Sequence, residues 1–399
     1  MEAAQRWVGR TEALDRLGVK AQTLYAYVSR GRVGSRTDPD NPRLSQYDAE
    51  DIARLVTRAN AEVALDGPAH VIPFFVPSVR GEATVRSTIS VVAREGLYYR
   101  GEDVVALAAA STVEDVARLL WDAGATNPFA GLGPRRDPAA GVTARTRLFA
   151  SLARRAEEDR PSSGRDAADV RAEAASVLND VIDAVSGPGP RLFFHQRLGR
   201  VWKVLERDST LIRHALVLAM DHGLNPAVIA TRAAAGGGAS PAGAALAGLA
   251  TFTASPKAFE LGRIMAYVIE ARRDPHGAAA RHLTTTGAVP GFGDPAWAGA
   301  RGDPRAASLL KATALPADLS AVVREGQASS GQPPAFGLAL ALIARRLDLP
   351  RDGAADLLLI GRLVGLLAHA LDQIRDGSPI PARLRYVGPL PGDTQVGPG

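Results

Sequence analysis

The chain has 399 residues, of which 46% are hydrophobic and 5% aromatic, with 47 Lys or Arg against 42 Asp or Glu and no cysteine. This length favours two or three domains, a net charge of +5 is a weak argument for nucleic-acid binding, and the absence of cysteine excludes disulfides, thiolate catalysis and cysteine metal sites. Because the sequence has no apolar run of about 18 residues and no basic-then-apolar start, it predicts neither a membrane span nor a secretory signal, and we expect a cytoplasmic protein.

The first 58 residues predict a small domain of their own. Residues 7–19 are typical of a capped helix with a glycine turn, and residues 20–30 predict a second helix. Together with the arginine-containing strand that follows, they resemble a winged helix-turn-helix of the MerR or excisionase type. This resemblance implies that the second helix enters the major groove of DNA and that basic residues contact phosphates. The predicted DNA-binding residues are Lys20, Gln22, Thr23, Tyr25, Arg30 and Arg32.

The charge of this domain leaves a second interpretation open. Residues 1–36 contain seven Lys or Arg and three Asp or Glu, but residues 37–56 contain two and five. The positive patch is therefore modest, and phosphate contacts would give only a small salt-dependent contribution to affinity. A domain that caps a dimer and binds no DNA is equally compatible with the sequence.

The rest of the chain predicts an almost entirely helical protein. Apolar residues recur at helical rather than alternating spacing, as in Val104, Leu107 and Ala108, or form short runs such as residues 357–360. The predicted fold class is therefore all-α, preceded by the small N-terminal domain.

Six short motifs follow one another between residues 80 and 390. They are GLYYRG at 96–101 with LLW at 119–121, HQRLGRVW at 195–202, DHGLN at 221–225, GFGDP at 291–295 with DPRA at 303–306, GRLVGLLAH at 361–369, and ARLRYVGP at 382–389. In this order they resemble the citrate synthase family over about three quarters of the chain. No single motif is specific, but the ordered set is.

This resemblance implies a homodimer of helical subunits with a cleft between a large and a small domain. The large domain would consist of two segments that flank the small one, and a linker would join it to the N-terminal domain. The predicted boundaries are 1–58 for the N-terminal domain, 59–77 for the linker, 78–257 and 346–391 for the large domain, 258–345 for the small domain and 392–399 for a flexible tail.

The resemblance also implies three substrate-binding residues. In the citrate synthase family, which joins acetyl-CoA to oxaloacetate, a histidine and several arginines hold oxaloacetate. His222 matches that histidine, and Arg305 and Arg362 match two of the arginines. A guanidinium suits this task because it donates two parallel hydrogen bonds to a carboxylate. A third arginine, which crosses the dimer in the family, has Pro381 at its position, so Arg383 would have to replace it.

The loop of Gly291, Phe292 and Gly293 resembles the backbone that binds CoA in the family, and glycines permit a close approach of ligand to backbone. We therefore expect a CoA thioester as substrate or ligand, without any tightly bound cofactor. The seven histidines show no spacing that is typical of a metal site.

The catalytic positions depart from the family pattern. Lys257 stands at the position of the enolate-stabilising histidine, Asp294 at that of the histidine in the GFGH motif, and Ala335 at that of the aspartate base. Loss of one oxyanion donor typically lowers the rate about 10²- to 10³-fold, so three changes predict little carbon–carbon bond formation. In substitute roles, Lys257 would polarise the thioester carbonyl as a cation, and Asp294 would act as acid or base.

Three functions are compatible with these residues. The first is a non-catalytic or weakly catalytic family member that binds a dicarboxylate or CoA ligand, as a regulator or as the partner of an active paralogous subunit. The second is an active citrate or 2-methylcitrate synthase that uses Lys257 and Asp294. The third is a ligand-responsive DNA-binding protein in which closure of the cleft changes the spacing of the two N-terminal domains of the dimer.

Overall fold

The computed structural model describes most of the chain in two compact units, Met1–Val71 and Ile72–Gly399. The described residues are 7–17, 21–29, 33–39, 41, 44–52, 85–93, 96–133, 139–187, 192–223, 225–297, 302–378 and 380. Several predictions lie outside them, namely those on Lys20, Arg30, Arg32, Pro381, Arg383, the linker 59–77, the motif 382–389 and the tail 392–399.

The N-terminal unit combines two helices with a small antiparallel sheet. Its elements are β1 (Trp7–Gly9), α1 (Arg10–Leu17), α2 (Ala21–Ser29), β2 (Ser35–Thr37) and β3 (Ser45–Asp48). Strand β3 lies between the other two, and its Tyr47 pairs with Val8 on one side and Ser35 on the other. The unit has its own apolar core, formed by Val8, Ala13, Leu24, Val33, Tyr47 and Ile52.

The second unit begins with a short antiparallel sheet and continues as helices. The sheet contains β4 (Ser90–Ala93), β5 (Gly96–Tyr99) and β6 (Glu102–Asp103). The first helices are α3 (Val104–Ala110), α4 (Val113–Leu120), α5 (Ala144–Glu158), α6 (Ala167–Ser186), α7 (Phe194–Val201) and α8 (Ser209–Ala219). They are followed by α9 (Pro226–Gly236), α10 (Pro241–Thr253), α11 (Pro256–Ala271), α12 (Pro275–Thr286), α13 (Pro304–Ala312), α14 (Ala317–Ser330), α15 (Phe336–Arg346) and α16 (Gly353–Asp376).

Five of these helices share one start signal in the sequence. Each begins with proline at its first or second position, directly after a polar residue whose side chain accepts hydrogen bonds from the free N–H groups of the first turn. Proline fits there because it has no N–H to satisfy and its φ is already helical. The pairs are Asn225-Pro226, Ser240-Pro241, Ser255-Pro256, Asp274-Pro275 and Asp303-Pro304.

Helix α16 is the central element of the larger apolar core. It packs against α8 so closely that a Cβ atom at Gly365 would lie 2.0 Å from the carbonyl oxygen of Met220, and one at Gly361 would lie 2.6 Å from the Cβ of Ala219. The helix is long and apolar enough to cross a membrane, but 83% of its most apolar stretch is buried inside the protein. Helix α16 is therefore a core helix, and its two glycines set the distance to α8.

A second apolar cluster lies further along the chain. It is formed by residues from the helices α11, α12, α14 and α15 and from the loop before Asp294, including Tyr267, Val289, Phe292, Val322 and Leu338. The presence of these two helical cores confirms the helical fold class that the apolar spacing predicts.

Candidate functional site

Asp221, directly after α8, is the most deeply buried carboxylate near the predicted site. Its side chain is fully excluded from solvent. Oδ2 accepts a hydrogen bond of 2.5 Å from the Ser90 hydroxyl, and Oδ1 accepts one of 3.0 Å from Nη1 of Arg362. Burial raises the pKa of the Asp221 carboxyl, but His369, followed by Arg362 and Ser90, more than offsets this and lowers it to about 2. Asp221 is therefore the counter-ion of Arg362.

His369 connects Asp221 to a second buried arginine. Nε of Arg232 donates to Nδ1 of His369 at 3.1 Å, and Nε2 of His369 lies 3.3 Å from Oδ2 of Asp221. Because a guanidinium can only donate, Nδ1 must accept, and the imidazole proton is on Nε2, facing the carboxylate. His369 therefore connects Arg232 and Asp221 through its two ring nitrogens.

The chain of polar contacts continues along α16. Nη2 of Arg232 donates to Oδ2 of Asp372 at 2.7 Å, and Nη2 of Arg375 donates to Oδ1 of the same carboxylate at 2.6 Å. We call the resulting series the α16 hydrogen-bond chain. It consists of Arg362, Asp221, His369, Arg232, Asp372 and Arg375.

Arg305, at the start of α13, has its own carboxylate partner. The N-cap residue Asp303 accepts from Nε at 3.0 Å and from Nη2 at 2.7 Å, so one edge of the guanidinium is fully engaged. Its Cζ lies 4.6 Å from the ring centroid of Phe336. Burial lowers the pKa of Arg305, but Asp303, with smaller contributions from Tyr99 and Asp294, raises it above its usual value. Arg305 is thus a positively charged side chain that Asp303 holds in one position.

The two predicted arginines share one electrostatic environment. Burial lowers the pKa of the Arg362 guanidinium, Asp221 opposes this effect, and Arg305 adds to the lowering. Arg305 is therefore among the charges that affect the Arg362 guanidinium. Binding of one ligand by both arginines stays a prediction.

His222 and Asp294 belong to the same neighbourhood through Trp297. The ring of His222, the residue after Asp221, lies 5.9 Å from the ring of Trp297. Trp297 ends a short 3-10 helix, Pro295–Trp297, which Asp294 caps by accepting from the N–H of Ala296 at 3.0 Å. The position of Asp294 thus fixes the turn that carries Trp297 toward His222.

Two buried donors in this region have no hydrogen-bond partner among the residues that the structure describes. They are Nε of Arg362 and Nε1 of Trp297. An unpaired buried donor costs about 1–3 kcal/mol, and such groups are uncommon unless water or a ligand satisfies them. Both donors point to an acceptor, and an anionic acceptor suits the guanidinium best.

The loop of Gly291, Phe292 and Gly293 is held mainly by its own domain. The carbonyl of Gly291 accepts from the N–H of Ala335 at 2.8 Å, and the N–H of Gly293 donates to the carbonyl of Pro333 at 2.8 Å. The ring of Phe292 packs edge-on against Tyr267 in the smaller core. A Cβ at Gly291 would lie 2.9 Å from that of Leu338, so packing against α15 already requires this glycine. CoA binding by this loop stays a prediction.

Ala335 and Lys257 both stand at helix starts. Ala335 is the N-cap of α15, is buried, and gives that helix no side-chain cap. Lys257 follows Pro256 in the first turn of α11, five residues after Phe252, whose ring centroid lies 5.5 Å from Cζ of Arg362. The side chain of Lys257 lies outside what the structure describes, and so does its predicted contact with a thioester.

Sequence reasoning missed four residues of this site. Asp221 and Asp303 hold Arg362 and Arg305 in place, Arg232 contacts His369, and Trp297 presents a buried donor. A local signal existed for Asp303, because an Asp directly before a proline at a helix start is placed as the N-cap. Among the described residues, no group of three or more His, Asp or Glu side chains could hold a metal ion.

The predicted DNA-binding residues that the structure describes lie on α2. Gln22 and Tyr25 are exposed, with 49% of the Tyr25 surface accessible, and Thr23 is half-buried. Cζ of Arg10 lies 5.4 Å from the Tyr25 ring centroid, so α1 and α2 place a cation beside this tyrosine.

Comparisons with known proteins match most of the second unit. Residues 132–384, well over half of the chain, match the family model described as the citrate synthase C-terminal domain. Among solved structures, the citrate synthase of Thermotoga maritima MSB8 superposes with a TM-score of 0.61 at 18% identity, covering 80% of this chain and 98% of that one. No curated protein matches the chain in sequence.

A second solved structure gives a similar result. It is the ternary complex of carboxymethyl coenzyme A and oxaloacetate with the citrate synthase of Thermoplasma acidophilum, which superposes with a TM-score of 0.59 at 14% identity. The match covers 80% of this chain and 97% of that one. At these identities the two structures establish a shared fold and nothing finer.

Proposed function

Because the chain belongs to the citrate synthase family, we propose that it is a member with impaired catalysis that binds a small dicarboxylate, an acyl-CoA or both. It would act as a regulator or as the partner of an active paralogous subunit, in the form of a homodimer in the cytoplasm. In this proposal residues 78–257 and 346–391 form the large domain, residues 258–345 form the small domain, and the ligand lies between them.

The observation that carries the binding function is the pair of unsatisfied buried donors on Arg362 and Trp297. The charge of Arg305 acts on Arg362, and each guanidinium donates to a buried carboxylate, Arg362 to Asp221 and Arg305 to Asp303. A carboxylate ligand would accept from these donors without moving either arginine, which is how preorganised sites gain affinity. The dicarboxylate class is supported further by the oxaloacetate in the related ternary complex.

The proposed loss of catalysis rests on two positions, one in the loop that follows Gly293 and one at the start of α15. Asp294 offers only acceptors at neutral pH where the family has a donating histidine, and Ala335 offers no base. The hydrogen bond from the N–H of Ala335 to the carbonyl of Gly291 connects this loop to the start of α15. With a carboxylate at the position of the ketone donor and none at the position of the base, we expect slow removal of the proton from a thioester methyl group.

Binding is tested by calorimetric titration of the full-length protein with oxaloacetate. We expect Arg362→Lys and Arg305→Lys each to weaken binding roughly 10-fold or more, since hydrogen bonds to charged groups contribute about 1.5–3 kcal/mol and lysine cannot supply the fork. Both variants keep the charge that Asp221 and Asp303 require. The matched control is Arg263→Lys on the exposed side of α11, which should bind as the parent does. Equal affinity in all four proteins would refute a carboxylate site at these arginines.

Catalysis is tested by mixing the protein with acetyl-CoA and oxaloacetate and following the release of CoA thiol, a clean assay because the chain has no cysteine. We expect no release above a heat-inactivated control. Release that disappears in Lys257→Ala would instead establish the alternative, an active citrate or 2-methylcitrate synthase that uses Lys257 and Asp294 in substitute roles.

The N-terminal unit is proposed to be a winged helix-turn-helix that binds DNA, which would make the protein ligand-responsive. Supporting features are its separate apolar core and the exposed Gln22 and Tyr25 on α2. We expect a shift of duplex DNA in gel electrophoresis whose affinity falls steeply with salt and is weakened by Gln22→Ala combined with Tyr25→Ala. Absence of any shift at low salt would leave the dimer-capping role.

A further inference from the structure

A cavity of about 230 Å³ opens beside the last turns of α16, at Asp372 and Arg375, where the α16 hydrogen-bond chain ends, and Arg305, Arg362 and Trp297 do not line it. Its walls come from the turn after β5, the end of α4, the start of α6 and the end of α16. Its charged lining residues are Arg100, Arg165, Arg171, Asp372 and Arg375. Trp121, Val170 and Leu371 form an apolar wall. Four guanidiniums and one carboxylate therefore surround a space the size of a small molecule.

The positive charge of this cavity is only partly neutralised. Arg165 pairs with Glu173 at 2.7 Å, and Arg375 pairs with Asp122 at 2.6 Å in addition to Asp372. Arg100, in contrast, donates only to neutral oxygens, at 2.9 Å to the Leu120 carbonyl and at 3.0 Å to the Thr88 hydroxyl. Positive groups therefore outnumber the carboxylates that contact them.

Arg171 is the most available of the four arginines. Its side chain is half-buried in the wall of the cavity and forms no hydrogen bond or ion pair with any residue that the structure describes. It lies one turn along α6 from Ala167, the first residue of this 20-residue helix, which also lines the cavity. The start of α6 is itself capped by Asp166, which accepts from the N–H of Ala168 at 2.7 Å, so the positive charge of the cavity comes from the arginines.

Arg375 also acts on Arg100 as a like charge. Burial lowers the pKa of the Arg100 guanidinium, and Arg375 adds to that lowering, while Asp122 and Asp372 oppose it. Like charges held together at a partly buried position are destabilising unless an anion compensates them.

We propose that this cavity is a binding site for a small polyanion, of the phosphate or polycarboxylate class. Guanidiniums bind both kinds of group through two parallel hydrogen bonds, and lysine is absent from the lining. The volume is below the roughly 300–1,000 Å³ of pockets for drug-sized ligands, so the occupant is small. The apolar wall at Trp121 leaves room for a short carbon skeleton beside the anionic groups.

The test is calorimetric titration of the full-length protein with inorganic pyrophosphate and, separately, with citrate, at constant ionic strength. Both titrations use an Arg305→Lys background, so that binding at the proposed carboxylate site is already weakened. We expect one-site binding that Arg171→Gln weakens at least 10-fold and Arg171→Glu abolishes. Because Arg171 has no described partner, thermal melting should show both variants folded.

Each outcome decides the proposal. Binding of pyrophosphate alone assigns the site to phosphate-bearing ligands, and binding of citrate alone assigns it to polycarboxylates. The matched control is Arg263→Gln, which removes an exposed arginine from another helix and should leave both affinities unchanged. No binding of either anion, or equal binding by the parent and Arg171→Glu, would overturn the proposal. Neither result depends on whether oxaloacetate binds or CoA is released.

Discussion

Asp221→Asn is expected to lower the free energy of unfolding by about 3–5 kcal/mol, the usual cost of removing one partner of a buried ion pair. Asn keeps the shape of the side chain but removes the charge that compensates Arg362. It also replaces Oδ2, the acceptor that Ser90 and His369 share, if the amide nitrogen takes that position. A buried guanidinium without a counter-ion then destabilises the centre of the larger core.

Urea unfolding of both proteins at neutral pH measures this difference. The matched control is Asp318→Asn, because Asp318 also pairs with an arginine, Arg272 at 2.7 Å, but with 35–40% of both side chains exposed. Exposed pairs contribute about 0–1 kcal/mol, so the control should unfold almost as the parent does. Equal losses in the two variants would show that burial of Asp221 is not what gives its ion pair its strength.

The same residue predicts how stability depends on pH. The pKa of Asp221 is about 2 in the folded protein, below the value of about 3.9 for an unperturbed Asp. A carboxyl pKa that is lower in the folded than in the unfolded protein stabilises the fold at pH values above the unfolded-state pKa. This stabilisation is lost as pH falls, so about 2–3 kcal/mol of the free energy of unfolding should disappear between roughly pH 5 and pH 2. Asp221→Asn should lack this component, and parallel pH titrations of unfolding would detect its absence.

Restoring the three family residues is expected to create activity. The triple variant Lys257→His, Asp294→His and Ala335→Asp should release CoA thiol from acetyl-CoA and oxaloacetate at least about 100-fold faster than the parent protein. Each donor to a developing oxyanion is worth roughly 10²–10³ in rate, and a positioned base roughly 10²–10⁴. Ala335 leaves α15 without a side-chain cap, and aspartate is a preferred N-cap residue, so the fold should tolerate this change.

A variant that caps the same helix without supplying a base gives the control. Ala335→Asn, combined with the same two histidine substitutions, caps a helix as well as aspartate does but has no carboxylate. It should release thiol roughly 10²- to 10⁴-fold more slowly than the triple variant, because it lacks only the base, and this separates a gain in stability from a gain in chemistry. If the triple variant folds and binds oxaloacetate but releases no thiol, then the impairment does not reside in these three positions.

The helical fold followed from local signals that the sequence carries explicitly. Apolar residues at helical spacing predict the buried faces of α3 and α16, and Thr112 with Asp115 forms the capping box that starts α4. Such signals are short-range, and a single sequence is enough to read them. The small strands β4 to β6 were harder to predict, because strands of two to four residues are too short for alternation to be visible.

In the candidate site, the sequence predicts only those residues that belong to a short sequence motif. Arg305 and Arg362 were predicted from their neighbours in sequence, but the partner of Arg362 is 141 residues away, at Asp221. Arg232 likewise reaches His369 and Asp372 across more than 130 residues. Local patterns contain no information on such pairings, which depend on how α16 packs against α8 and α9. For the same reason the arginine cavity was not predicted, since its walls come from four separated segments.

If both proposed anion sites are occupied, the α16 hydrogen-bond chain is a physical connection between them. Arg362 and Arg375 are 13 residues apart on one helix, about 20 Å at 1.5 Å per residue, and every polar group between them is shared by two neighbours. An anion that draws Arg375 away from Asp372 strengthens the hold of Asp372 on Arg232, and this change passes through His369 to Asp221. If occupancy of one end alters affinity at the other by some factor, linkage requires the same factor in the opposite direction. Binding of a ligand at one end of α16 would then change the affinity for a ligand at the other end without any domain movement.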